Sequence, residues 1–521
     1  MANIVVNDLT FTHEGALAPL FEHASFTLDT DWRLGFIGRN GRGKTTFLRL
    51  LMGDHPYQGR ILAPTAFAYF PFAVHKGERL ALAVARDIIA PFDALEARME
   101  QAQQTGDMAA YGEAYEQYTA QDGYTIDEQI EKETGKLGIA SEALARRFDT
   151  LSHGERTKLM LAALFLRKNH FLLIDEPTNH LDAQGRSLVA RYLAGKKGFI
   201  LVSHDRSFLD ETVDHVLSIN RTTIEVQQGN FSSWWENKER RDQFELDENR
   251  RLKGEIRRLS ETVREKAEWS EQIEATKIGG HTYDRGRVGH LAARMMQRAK
   301  AIEARKQRAV EEKSALLHDI DEAEPIKLIP LAYHKERLLE TQELSIAYGA
   351  RTLFSGLTFS LARGERVAIT GANGCGKSSL LKLLCGQDIP HTGQVRVGSG
   401  MLRSLIPQGT EHLRGSLAAY LQAEGLDQTL VKSLLRKLDF ARTQFDTPLE
   451  AYSEGQKKKL LLAASLSRQA HLYVWDEPLN YVDVLSRMQI EALLLRFAPT
   501  LLFVEHDRRF CERIATRVIA L

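Results

Sequence analysis

GRNGRGKTT at Gly38–Thr46 recurs as GANGCGKSS at Gly371–Ser379, and this repetition decides how the whole chain is read. Each copy follows a short apolar run (Leu34–Ile37; Val367–Thr370) and precedes a run with helical spacing (Thr46–Leu51; Ser379–Leu384). The expected unit is therefore a strand, a glycine-rich loop and a helix. In that setting successive backbone N–H groups curl around a phosphate while the helix N-terminus adds positive potential. The groups facing the phosphates are expected from Gly38, Arg39, Asn40, Gly41, Arg42, Gly43 and Thr46 in the first loop. The second supplies Gly371, Ala372, Asn373, Gly374, Cys375, Gly376 and Ser379. Lys44 and Lys377 would reach the β- and γ-phosphates, and Thr45 and Ser378 would hold Mg2+, so ATP with magnesium is the implied ligand. A single loop of this kind can be a chance glycine turn; two in equivalent settings are not.

A second motif is duplicated as well. LIDEPTNHLD at Leu173–Asp182 returns as VWDEPLNYVD at Val474–Asp483. Four apolar residues before each acid pair (Phe171–Ile174; Leu472–Trp475) predict a buried parallel strand whose end carries Asp175–Glu176 or Asp476–Glu477 to the nucleotide crevice. The first acid of each pair suits magnesium; the second suits the attacking water, as its general base. The interval between loop and acids is longer in the first copy, and composition places the extra segment near residues 90–125, as two short polar helices.

At 521 residues the chain needs two or three domains, and 43% apolar with 26% charged residues fits a globular protein. Lys plus Arg and Asp plus Glu both total 69, so no global field exists to hold a polyanion and any nucleic-acid contact must be local. The opening MANIVVNDLTF lacks a basic stretch followed by an apolar run, and no segment approaches a membrane-spanning length. Cys375, Cys385 and Cys511 show neither pairing nor metal-ligand spacing. The expectation is a cytosolic protein with free thiols and no membrane contact. Cys375 inside the second loop reads either as a small residue that fits or as a thiol whose modification blocks the loop.

From Phe231 to Pro330 the character changes to charged helix. Leu252, Ile256, Leu259 and Val263 form one apolar seam, and Val288, Met295, Ile302, Ala309 and Leu316 form another. TKIGGHTYDRGRVGH breaks the helices between them, so an antiparallel hairpin is expected. Around its far end Lys277, Arg285, Arg287, Arg294, Arg298, Lys300, Arg305, Lys306 and Arg308 face only Asp284 and Glu303 as acids. Such a local excess suits folded RNA, with His281 and Tyr283 able to stack on bases.

LSHGE at Leu151–Glu155 and YSEGQ at Tyr452–Gln456 resemble the signature motifs of ABC proteins, and SHDR at Ser203–Arg206 and EHDR at Glu505–Arg508 resemble their histidine switch. The resemblance implies head-to-tail pairing within one monomer. Ser453 and Gly455 would complete the Lys44 site, Ser152 and Gly154 the Lys377 site, with His204 and His506 joining Glu176 and Glu477 as catalytic groups. It also implies an aromatic residue against adenine, Tyr348 in the second copy but His13 in the first. The glutamine expected beside magnesium is Gln408 in the second copy but Phe72 in the first, and an apolar ring cannot ligand a cation. The Lys44 site is therefore expected to turn over more slowly.

Two ABC domains with a charged linker and no membrane segment resemble the ABC-F proteins. The implied fold is α/β: an ABC ATPase domain at 1–231 with a helical arm, a helical hairpin linker at 232–333 and a second ABC ATPase domain at 334–521. TNHLD, EPLNYVDV, IGRNGRGKTT and GHLAARMMQRAKAIEARKQ narrow the resemblance to the Lsa-type antibiotic-resistance branch. That branch implies binding in the tRNA exit site of the 70S ribosome, contact with 23S rRNA and P-site tRNA, and protection against lincosamide, pleuromutilin and streptogramin A drugs. A housekeeping ABC-F translation factor, a DNA-acting ATPase and a transport motor with its channel on another chain are the competing readings.

Overall fold

The structure is a computed structural model that describes residues 2–13, 19–75, 77–179, 181–219, 224–244, 247, 248, 251, 254, 328, 330–349, 351–372 and 374–521. The chain divides into two units, Met1–Trp234 with Glu324–Leu521, and Trp235–Ala323. Of the second unit residues 235–244 are helical. The expected hairpin, its two seams and the residues Lys277, His281, Tyr283, Arg285, Arg287, Arg294, Arg298 and Lys300 lie outside the described residues, as does Asn373.

The first unit holds two α/β halves of the same plan. In the first half the sheet order is Ala66–Phe70, His170–Asp175, Phe199–Val202, Arg33–Ile37, His215–Ile219 and Ile224–Gln228, parallel except for the last strand. In the second half it is Arg403–Ile406, Leu472–Asp476, Leu501–Val504, Arg366–Thr370 and Arg517–Ala520, parallel throughout. Phe199–Val202 (FILV) and Leu501–Val504 (LLFV) are buried along their whole length, the unbroken apolar pattern that a parallel strand covered on both faces requires. A three-stranded antiparallel sheet accompanies each half, Phe21–Asp29, Asn3–Phe11 and Gln58–Leu62 in the first, Arg351–Ala362, Arg337–Tyr348 and His391–Val397 in the second.

This strand order brings the motifs together. Four neighbouring strands end side by side, delivering in sequence Phe72 or Gln408, the Asp–Glu pair, the switch histidine and the phosphate loop. Each loop turns into its helix (Lys44–Met52; Lys377–Leu384) through a glycine in left-handed conformation, Gly43 at φ 87° and Gly376 at φ 104°. A Cβ at Gly43 would also stand 2.6 Å from the Leu20 side chain, so only glycine serves there. The extra segment of the first half folds as helices Phe92–Thr105 and Met108–Ala120, joined through Gly106 and Asp107, whose side chain caps the second helix.

The two halves are joined by buried charge. The Arg206 guanidinium, 2% exposed, pairs with the Glu491 carboxylate, 1% exposed, from the opposite half, and Arg513 reaches the same carboxylate at 3.1 Å. Removing one partner of such a pair leaves the other charged and dry. Glu491→Ala should cost about 3–5 kcal/mol of stability, read as a shifted urea midpoint, and Arg206→Met with Glu491→Leu should recover much of that loss.

Candidate functional site

At the first site the Lys44 ammonium folds back on its loop, donating to the carbonyls of Gly38 at 2.6 Å and Arg39 at 3.1 Å. The Thr45 hydroxyl donates to Asp175 Oδ2 at 2.9 Å, and the Tyr69 hydroxyl reaches the same oxygen at 3.0 Å. His204 Nε2 stands 3.4 Å from Glu176 Oε1. The other half closes over this loop: Asn40 Nδ2 donates to the Tyr481 carbonyl at 2.8 Å, and Arg42 donates to Asp439 at 3.2 Å. Gly455 lies so close that a Cβ there would be 2.7 Å from Asn40 Nδ2.

At the second site Lys377 likewise donates to Gly371 O and Ala372 O, both at 2.9 Å. A cavity of about 870 Å³ opens beside it, lined from one side by Ser152 and Gly154 and from the other by Gly374, Gly376, Lys377, Ser378, Ser379, Tyr348, Gln408, Glu477 and His506. Tyr348 is exposed, with its hydroxyl 3.3 Å from Ser379 Oγ. In the first half His13 packs edge-on against Phe11. The three thiols, Cys375 included, are free.

Local sequence explains these positions. Ser152 and Ser453 each cap their helix in a capping box, closed by Glu155 and Gln456, so the fifth residue of LSHGE and YSEGQ fixes the serine at the helix mouth. Glu176 and Glu477 hold the left-handed backbone at φ 51° and 47°, a conformation costly for a side-chain-bearing residue and repeated in both copies. The oxygens suit magnesium. Asp175 faces Thr45, Asp476 faces Ser378, and Asp476 Oδ1 is buried without a hydrogen bond among the described residues, a setting that fits a hard cation.

The family profile described as ABC transporter matches residues 21–179 and 354–480. The Ribosome protection protein VmlR of Bacillus subtilis (strain 168) is 30% identical over 506 residues, covering 95% of this chain and 82% of its own. The Energy-dependent translational throttle protein EttA of Haemophilus influenzae is 28% identical over 510 residues, covering 94% and 86%. The chain belongs to the ABC transporter family, in its ABC-F branch. As an ABC-F protein it is an ATP-hydrolysing enzyme. The tandem fold is also that of the archaeal ribosome recycling factor aABCE1, solved in complex with the stalk protein aP1, at TM-score 0.59 and 17% identity over 98% of this chain and 87% of that one. No helix among the described residues of this ABC-F chain is long and apolar enough to cross a membrane.

The two ABC-F sites differ in ways the motifs alone did not reveal. Burial pushes the Glu176 carboxyl up to about 8, with Asp175 adding to the effect and Arg487 and Lys44 opposing it. Its Oε1 has no hydrogen-bond partner among the described residues. Burial acts on Glu477 too, but His506, Gln408 and Lys458 outweigh it and hold that carboxyl at about 2. His506 Nε2 bonds Glu477 Oε1 at 3.3 Å, and Asn480 Nδ2 donates to Oε2 at 2.6 Å. Asn480, Lys458, Tyr481 and Asp439 were not singled out from sequence. Comparing the two copies position by position would have flagged Lys458, which stands where the first has Thr157.

Gly455→Ala would place its Cβ 2.5 Å from the Tyr481 carbonyl and 2.7 Å from Asn40 Nδ2. In a Lys377→Ala background, affinity for a fluorescent ATP analogue at the Lys44 site should fall about tenfold. The clash with the Tyr481 backbone should also lower the melting temperature.

Proposed function

We propose that the chain is a cytosolic ABC-F ATPase that binds the 70S ribosome in the tRNA exit site and protects it against lincosamide, pleuromutilin and streptogramin A drugs, as an Lsa-type member of the branch. ATP closes the two halves into the ribosome-binding form, and hydrolysis releases it. The observation that carries the ATP-driven cycle is the mutual completion of the loops: Asn40 meets Tyr481 and Gly455, while Ser152 and Gly154 line the cavity of Lys377. Nucleotide bound at either loop would touch both halves and so hold them together. The same reading takes the domains as 1–231, 232–333 and 334–521, with the functional unit a monomer.

In this reading Glu477 and Glu176 take the proton of the attacking water; His506 orients Glu477 through its bond at 3.3 Å, while His204 stands 3.4 Å from Glu176 without bonding it. Lys377 and Lys44 leave the loop carbonyls for the phosphates. Thr45 with Asp175, and Ser378 with Asp476 and Gln408, would hold Mg2+, which when bound neutralises charge building on the phosphates. Ser453 with Gly455 and Ser152 with Gly154 offer hydroxyl and N–H donors to the γ-phosphate across the interface. Tyr348 supplies a ring for adenine. The linker residues Lys277, His281, Tyr283, Arg285, Arg287, Arg294, Arg298 and Lys300 would meet 23S rRNA and P-site tRNA.

The likeness to VmlR, a ribosome protection protein by name, over nearly the full chain supports the ribosomal part. The almost equal likeness to EttA, named a translational throttle, favours one second reading, a housekeeping translation factor. Expression in a susceptible bacterium separates them: raised inhibitory concentrations of lincomycin, tiamulin and virginiamycin M, lost in the Glu176→Gln, Glu477→Gln form, are expected. No shift for any of the three would favour the throttle. The doubly substituted protein should bind ATP and stay on ribosomes in co-sedimentation; one that sediments free with ATP present would count against the cycle.

The bonding of Glu477 predicts unequal turnover. Glu477→Gln should lower steady-state hydrolysis by about a hundredfold, while Glu176→Gln should leave most of it. Equal residual rates would argue against a faster Lys377 site.

A further inference from the structure

Lys458 lies on the helix Glu454–Ser467 and is 2% exposed. Its ammonium donates to two backbone carbonyls, Glu477 O at 3.1 Å and Pro407 O at 3.2 Å. Among the described residues no carboxylate stands within ion-pair distance of it. Its neighbour Lys459, equally buried, has Asp483 at 2.6 Å. Taking an ammonium out of water is costly, and an ion partner is the usual compensation. Stability alone would therefore not place a lysine at 458. Glu505, Glu477, Asp476 and Glu454 surround it with negative potential without touching it.

What Lys458 does touch is specific. Pro407 directly precedes Gln408, whose side chain helps hold the Glu477 carboxyl down, and Glu477 itself sits in the left-handed backbone at φ 47°. One cation thus gathers the carbonyls of the two segments that present Gln408 and Glu477. The first half has none of this. Thr157 stands in place of Lys458 and Phe72 in place of Gln408, and the Glu176 carbonyl accepts instead from the Asn179 amide at 3.3 Å.

We infer that Lys458 is a positioning residue of the Lys377 site: by holding the Glu477 and Pro407 carbonyls it fixes the carboxylate and Gln408 relative to each other, and it sets the rate of ATP hydrolysis there but not at the Lys44 site. The inference rests on Glu477 being the general base of that site. It goes further in assigning the difference between the halves to a residue outside the recognised motifs.

The test uses the full chain. Lys458→Met keeps length and volume in the buried space, and Lys458→Arg keeps the charge and the donors. In a Glu176→Gln background, Lys458→Met should lower kcat by about tenfold to a hundredfold with KM for ATP within about twofold, and Lys458→Arg should restore most of the loss. In a Glu477→Gln background Lys458→Met should change nothing further. An unaltered kcat would overturn the inference. So would an equal loss in both backgrounds, or a loss accompanied by a lower melting temperature that arginine does not reverse. Full turnover in Glu477→Gln alone would instead sink the assignment of the base, and is read before Lys458 is changed.

Discussion

Each phosphate loop of this chain is finished by atoms of the other half, and that single constraint organises the molecule. A loop by itself offers N–H groups on one side of a phosphate only. The serine-capped helix of the opposite copy faces its other side, and both reciprocal contacts lie within one chain. At the Lys44 loop the contact is direct, through Asn40 and Tyr481; at Lys377 the same arrangement leaves a cavity of about 870 Å³. The halves are duplicated, yet the interface they form is not symmetric.

Electrostatics follows from that asymmetry. Both glutamates lie at the end of a buried strand, beside an aspartate and in a strained backbone, so burial alone would push both toward neutrality. What separates them is the number of donors each carboxylate receives. Glu477 has His506 and Asn480, with Gln408 and the Lys458 ammonium also holding it down, whereas Glu176 has an oxygen left without a hydrogen bond among the described residues. Phe72 stands where the second half has Gln408, and Thr157 where it has Lys458, so neither the amide nor the ammonium is present beside Glu176. Duplication preserved the scaffold while the donors around one carboxylate were lost, or were gained around the other.

Much of this was legible in the sequence because phosphate loops, acid-ending strands and capping boxes are local: a few consecutive residues specify both the conformation and the chemistry. The strand Leu472–Asp476, the helix opened by Ser453 and the pair of helices Phe92–Thr105 and Met108–Ala120 followed from periodicity and from end signals. The cross-half partners did not. Nothing near Asp439 announces that it meets Arg42, and nothing near Glu491 announces Arg206, because these pairs are separated by hundreds of residues and depend on how two complete folds meet. Lys458 was hidden differently. Within a run of three lysines it reads as a solvated face, and only the geometry shows that two of the three are buried.

The same meeting of two complete folds also fixes the point where the chain leaves the first half. Ser232 bonds Asp210 through both its amide and its hydroxyl, and Arg509 of the second half reaches Asp210 at 2.6 Å and Ser232 Oγ at 3.0 Å. Asp210 and Arg509 both follow the switch histidines closely, on the helices Arg206–Thr212 and Arg508–Ile514. Each helix thus begins two residues after the histidine beside its glutamate and carries a group that grips Ser232. Since the grip involves one residue from each half, sliding the halves past each other cannot leave it intact. The point where the chain leaves the first half is thus held by both halves together rather than by either alone.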